Sequence, residues 1–178
     1  MIIQKVAVFV GLTLTLASTR AEESLDGRAH PFQDPLLEKL VGDWHVACKF
    51  GSGRTAENTL RAEWVLNHQF VELHYRDVAT PPKYEAMVFI GYDNTSERYI
   101  AHWIDVFGGR FSETLGYGKL DEPAHAIRFV FEYPDGPFTN TFTFDSKTKT
   151  WTSLMRQKDK GQWSTFAEEK FTRAETKQ

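Results

Sequence analysis

One cysteine in 178 residues excludes an intramolecular disulfide, so the fold has to be held by its core even in an oxidising compartment. That residue, Cys48, falls on an early strand pattern and reads as a small buried hydrophobe. There is no cluster of Lys and Arg of the kind that follows phosphates, and the formal net charge is -3, which argues against a nucleic-acid partner. No G-x-S-x-G elbow, H-E-x-x-H, phosphate-binding loop or dinucleotide fingerprint occurs, so the hydrolase and nucleotide-binding classes lose support. The histidines make no metal-ligand spacing with Cys, Asp or Glu.

Only one apolar run is present. Lys5 precedes residues 6–17, which are almost wholly apolar, and small residues lead to Ala21. This reads as a secretory signal peptide over residues 1–21. The run is too short to span a bilayer comfortably and no second one follows, so release is expected rather than anchoring. Cys48 lies too far from the cleavage region to carry a lipid there. Without residues 1–21, 19 basic residues face 24 acidic ones. A secreted or periplasmic protein with no membrane span is the expectation. Residues 22–34 are polar and aperiodic, a flexible leader, and 35–172 form one domain with a tail at 173–178.

Helix signal is scarce. Asp34 suits an N-cap and Pro35 a first helical position, while Leu36, Leu37, Leu40 and Val41 give an apolar stripe that Gly42 ends. That predicts a capping helix of barely two turns. From there on, strand and turn alternate at the spacing of a barrel or sandwich. Trp44, Val46, Cys48 and Phe50 alternate on one strand; Phe129, Phe131 and Tyr133 alternate on another; Phe138, Phe142 and Phe144 alternate with threonines on a third. The count is about ten antiparallel strands joined by short turns. Closure removes exposed edges, so an all-β, up-and-down barrel is predicted, one end plugged by the short helix with Trp44 packed beneath it.

The stretch 84–118 holds the centre of the reading. A turn at 94–97 pairs two strands so that Tyr92 lies opposite Tyr99, Ile90 opposite Ala101, Val88 opposite Trp103 and Ala86 opposite Asp105. The same face is expected to continue through Ser112, Thr114, Gly116 and Gly118. Two readings of this confrontation stand together. In one, Gly116 and Gly118 are structural and rings cover the bare backbone. In the other, Tyr92, Tyr99 and Trp103 wall a ligand cavity with Asp105, Ser112 and Thr114 as polar anchors. On the strand from Phe70, Glu72, His74 and Arg76 share a face. His74 with Glu72 reads either as an acid/base pair or as a solvated ladder. His102 points away from Trp103 and Asp105. Asp105 between Trp103 and Phe107 would suffer a desolvation cost unless Ser112 or Thr114 hydrogen-bonds it, a setting suited to proton transfer; otherwise it caps the turn at Gly108-Gly109 or pairs with an arginine at the rim.

Leu40-Val41-Gly42-Asp43-Trp44, Asn67-His68-Gln69-Phe70, Ile90-Gly91-Tyr92-Asp93, Trp103-Ile104-Asp105 and Gly118-Lys119-Leu120-Asp121 occur in that order. In these the chain resembles a family of bacterial secreted proteins of unknown function with a calycin-like barrel. The resemblance runs from about Pro35 to Thr172. It implies a lipocalin-like or fatty-acid-binding-protein-like barrel, whose relatives mostly bind small apolar molecules. In the nitrobindin-like haem barrels the iron is held by a histidine late in the chain. No histidine follows His125 here, so haem is disfavoured and no cofactor is expected.

Three functional expectations follow. The first is a barrel binding a small, largely apolar or aromatic molecule. The second is an isomerase, cyclase or lyase using Asp105 or His74 as general base. The third is an interaction module or homodimer docking through Met87 and Phe89, which make one strand apolar on both faces.

Overall fold

The computed structural model describes residues 32–175. The expected signal peptide and most of the leader lie outside them. The strands are β1 (Gly42–Phe50), β2 (Thr55–Val65), β3 (Phe70–Asp77), β4 (Glu85–Asp93) and β5 (Arg98–Asp105), followed by a one-turn helix α1 (Gly109–Ser112). Then come β6 (Gly116–Asp121), β7 (Ala126–Tyr133), β8 (Gly136–Asp145), β9 (Thr150–Asp159) and β10 (Gln162–Arg173). Each strand pairs antiparallel with the next, and β1 also pairs with β10, so the sheet closes into a ten-stranded up-and-down barrel. Alternation then dictates the rest. Trp44, Val46 and Cys48 on β1 and Val71, Leu73 and Tyr75 on β3 point inward, and their neighbours point to solvent.

The β4–β5 hairpin has the register the sequence predicts: Tyr92 opposite Tyr99, Ile90 opposite Ala101, Val88 opposite Trp103, Ala86 opposite Asp105. The next strand departs from expectation. Ser112 sits in α1, and β6 begins only at Gly116. The β5–β6 ladder is therefore three pairs long, Tyr99 to Ala101 against Gly118 to Gly116, and the upper half of β5 has no β6 partner.

The predicted capping helix is also corrected. One 3-10 turn, Leu37–Lys39, takes its place. Asp34 does cap it, its carboxylate accepting the Leu36 and Leu37 amides at 2.8 and 2.9 Å and the Tyr99 hydroxyl. The helix goes no further because other groups claim its carbonyls. The Trp151 indole donates to Lys39 O at 3.2 Å and the Trp44 indole to Leu40 O at 2.7 Å. The Arg173 guanidinium donates to Lys39 O at 3.0 Å and Val41 O at 2.6 Å, lying 3.9 Å over the Trp44 ring. A third indole, Trp64, donates to Glu38 at 2.7 Å. With Leu36, Leu37 and Leu40 buried, this turn closes the end of the barrel where β1 starts and β10 finishes.

Candidate functional site

Above the plug, the interior is apolar rings until about mid-height, where its character changes. Glu169 on β10 lies between Ala167 and Phe171 in the inward-facing series and is 7% exposed. Its neighbours across the ladders are Cys48 on β1 and Ser153 on β9, both buried. Asn140 on β8 accepts the Ser153 hydroxyl at its Oδ1, 2.8 Å away. Asn58 on β2 and Tyr75 on β3 complete an inward-facing polar group. Four of its atoms have no hydrogen-bond partner: Asn58 Oδ1, Tyr75 Oη, Asn140 Nδ2 and Glu169 Oε2. Buried polar atoms are nearly always paired, because an unpaired one costs about 1–3 kcal/mol, so these four stand out among the core residues.

The electrostatics agree. Burial, with no cation to offset it, pushes the Glu169 carboxyl up to about 8, against the pull of Ser153. The Cys48 thiol is pushed up to about 12 by burial and then by the charge of Glu169. Tyr75 is raised well above its ordinary value, first by burial and then by Glu169. Among the described residues no Lys, Arg or His is buried. Above the cluster the Trp103 indole donates to the Tyr84 hydroxyl at 3.1 Å, and the Tyr75 and Trp103 rings lie 5.4 Å apart. Tyr84, Trp103, Tyr133 and Phe138 are partly buried and ring the end opposite the plug.

The residues expected to form a site are divided among three places. Tyr92 and Tyr99 belong to the plug: Tyr92 stacks on Phe32 at 5.4 Å and meets Tyr99 edge-on at 5.1 Å, while Tyr99 bonds Asp34. Trp103 and Asp105 lie on the inner wall toward the end opposite the plug. There Asp105 accepts the Phe107 amide at 2.9 Å and its carbonyl takes the Gly108 amide, so it holds the turn. Ser112 donates its hydroxyl to Gly108 O at 3.2 Å, its carbonyl accepts His102 Nε2 at 2.7 Å, and Thr114 precedes β6. Ser112 and Thr114 therefore do not extend the strand face of Gly116 and Gly118. His74 is on the outer wall, and its close partner is Glu85 of β4, 2.6 Å away, rather than Glu72. His74 and Asp105 are on opposite sides of the barrel wall.

Gly116 and Gly118 leave no cavity. A Cβ at Gly116 would lie 2.5 Å from the Phe131 ring, and one at Gly118 would lie 2.8 Å from Arg128 O and 3.0 Å from Phe129. The covering rings come from β7. Trp44 is fully buried beneath the turn. The sequence reading passed over Glu169, Ser153, Asn140, Asn58 and Tyr75. The signal was there: Glu169 has the parity of Ala167 and Phe171, Asn140 that of Phe138 and Phe142, and Ser153 that of Trp151 and Met155.

By fold and interior the protein is a closed, ten-stranded antiparallel barrel, plugged at one end, with a polar group among its core rings. It belongs to the family described as "Protein of unknown function (DUF1579)", whose model matches residues 33–173. No curated protein matches the chain. Among solved structures it is similar to a redesigned beta barrel at 14% identity, covering 78% of this chain and 94% of that one with a TM-score of 0.36. Among the described residues no helix is long and apolar enough to cross a membrane. Nor do three or more His, Cys, Asp or Glu side chains among them gather where they would hold a metal ion.

Proposed function

We propose that this barrel binds a small, largely apolar molecule in its interior, reached from the end opposite the plug, and that it works outside the cytoplasm after removal of residues 1–21. The observation that carries the reading is the set of four unpaired polar atoms on Asn58, Tyr75, Asn140 and Glu169. Aromatic walls supply apolar contact and a few convergent polar groups fix orientation, the usual make-up of a small-molecule site. Tyr84 and Trp103 stand at the entrance, and the rings of Tyr75 and Trp103 are adjacent, so an occupant of the cluster changes the surroundings of an indole. Of the earlier candidates Trp103 is the wall residue this reading keeps.

The test is intrinsic fluorescence of the protein lacking residues 1–21, titrated with fatty acids, aromatic metabolites and haem, beside native mass spectrometry of material from its own host. A saturable change or a copurified mass is expected. A flat response to every compound with no copurified mass removes the reading.

A second reading, homodimerisation, rests on Met87 and Ile104, which are paired across β4 and β5 on the outer wall and are each 40% exposed. Light scattering decides it, since a monomer at high concentration rules it out.

A further inference from the structure

One part of the barrel wall is not sheet. β6 reaches β5 only at Tyr99 to Ala101, so His102 to Asp105 on β5, and Glu132 and Tyr133 on β7, have no β6 partner. α1 and its flanks take the place of the missing strand, and no residue from His102 to Leu115 is buried. Three side-chain contacts stand in for a ladder. His102 Nε2 donates to Ser112 O at 2.7 Å, the Tyr133 hydroxyl donates to Phe111 O at 3.0 Å, and Arg110 pairs with Asp135 at 3.3 Å. The ion pair is exposed on both sides and holds little. α1 is thus hung from β5 by His102 and from β7 by Tyr133. Before it stand Gly108, at a φ of 80°, and Gly109; a Cβ on either would meet nothing within 4 Å, so the chain there has room to turn.

We infer that residues 107–115 are a latched flap in the barrel wall, which opens on Gly108-Gly109 while the sheet stays folded, and that a small molecule enters behind it. The entry role rests on the binding reading above; the opening itself does not. Segments with few buried apolar contacts open at the low end of a protein's range of local free energies, and this one buries no side chain. The sheet beside it does not share that weakness, since β4 pairs with β5 over eight residue pairs and β6 with β7 over six. Trp103 belongs to the unpartnered stretch of β5, and its ring lies 5.4 Å from that of Tyr75, so an opening there gives onto the core rings. A flap that is closed both before and after entry acts as a gate. Loosening its latch speeds entry and exit by one factor and leaves affinity where it was.

The experiment has two arms, both on the protein lacking residues 1–21. In the first, brief trypsin treatment is followed by mass spectrometry, because cleavage of a folded chain tracks the population of its open form. Cleavage after Arg110 is expected to outpace cleavage after Lys160, in the turn between β9 and β10. It should rise about fivefold in His102→Leu and in Tyr133→Phe, the factor for one hydrogen bond. An unchanged rate after Lys160 is the internal control against general loosening. Equal rates at the two positions, or an Arg110 rate that neither variant changes, overturns the flap. In the second arm, stopped-flow fluorescence follows N-phenyl-1-naphthylamine, an uncharged apolar fluorophore, on the natural chain and on His102→Leu, whose side chain is on the outer wall. Association and dissociation rates are expected to rise together about fivefold, with the dissociation constant changed by less than about twofold. Unchanged rates beside faster Arg110 cleavage overturn the entry role and leave the flap. So does an altered dissociation constant with an unaltered association rate, which marks a contact rather than a gate. No saturable binding removes the entry role together with the binding reading for this probe, while the cleavage comparison still decides the flap.

Discussion

Cys48 on β1 and Glu169 on β10 stand directly opposite each other in the pairing that closes the barrel, and both side chains are buried. The ladder that joins the two ends of the barrel's strand order thus carries a carboxyl in the core. A buried carboxyl without a cation is costly in its ionised form, so the protein keeps the proton that water would remove.

That gives the first prediction. Glu169 titrates at about 8 in the folded chain against 4.5 ordinarily. Between those values the native state holds a proton that the unfolded state has released, so the stability from this group is complete at and below about pH 4.5 and is lost as pH rises to about 8. Denaturant midpoints measured across that range should fall for the natural chain. In Glu169→Gln, which mimics the neutral acid in shape, that part of the slope should vanish. An unchanged slope would place the Glu169 carboxyl in contact with solvent.

The second prediction concerns the facing thiol. With Cys48 pushed up to about 12, first by burial and then by Glu169, its thiolate at weakly alkaline pH is reduced roughly a thousandfold relative to a free thiol. A thiol-specific disulfide reagent should leave the native protein unlabelled for as long as it stays folded, and should label one equivalent promptly in guanidinium. Rapid labelling of the native protein would show that the interior opens at that strand.

Gly116 supplies the third. Three ring atoms of Phe131 lie within 2.7 Å of where its Cβ would be, and the ring is packed in the core, so Gly116→Ala should cost about 1–3 kcal/mol of stability. Gly109→Ala is the control, since nothing lies within 4 Å of its Cβ position, and it should stay within about 0.5 kcal/mol of the natural chain. Combining Gly116→Ala with Phe131→Leu should recover part of the loss.

What the sequence revealed follows from how local each cause is. The β4–β5 register was legible because a short turn and strict alternation fix it within 84–105. The capping helix was overdrawn because its carbonyls are taken by Trp151 and Arg173, 112 and 132 residues away along the chain. Alternation along β6 was carried too far back because α1 and its Asp105-capped turn occupy those residues. Glu169 faces inward by the parity of its own strand. Ser153 stands opposite it in the β9–β10 hairpin and Asn140 bonds Ser153 from β8, whereas Cys48 on β1 and Tyr75 on β3 reach it only when the sheet closes.

Asp34 gives the last prediction. One carboxylate joins three groups: the Leu36 and Leu37 amides at the start of the plug turn and the Tyr99 hydroxyl on β5. Asp34→Ala removes the cap and leaves a buried hydroxyl on Tyr99 without its acceptor, effects worth about 0.5–2 and 1–3 kcal/mol. The loss should therefore be about 1.5–5 kcal/mol, large for a residue outside every strand. Asp34→Asn keeps an acceptor for the two amides, and its stability should lie between those of the natural chain and Asp34→Ala. Tyr99→Phe removes only the hydroxyl, so the double variant Asp34→Ala with Tyr99→Phe should be less destabilised than the sum of the two single changes. If the two effects simply add, the plug is held by its leucines and the three indoles, and the Asp34–Tyr99 contact contributes nothing of its own.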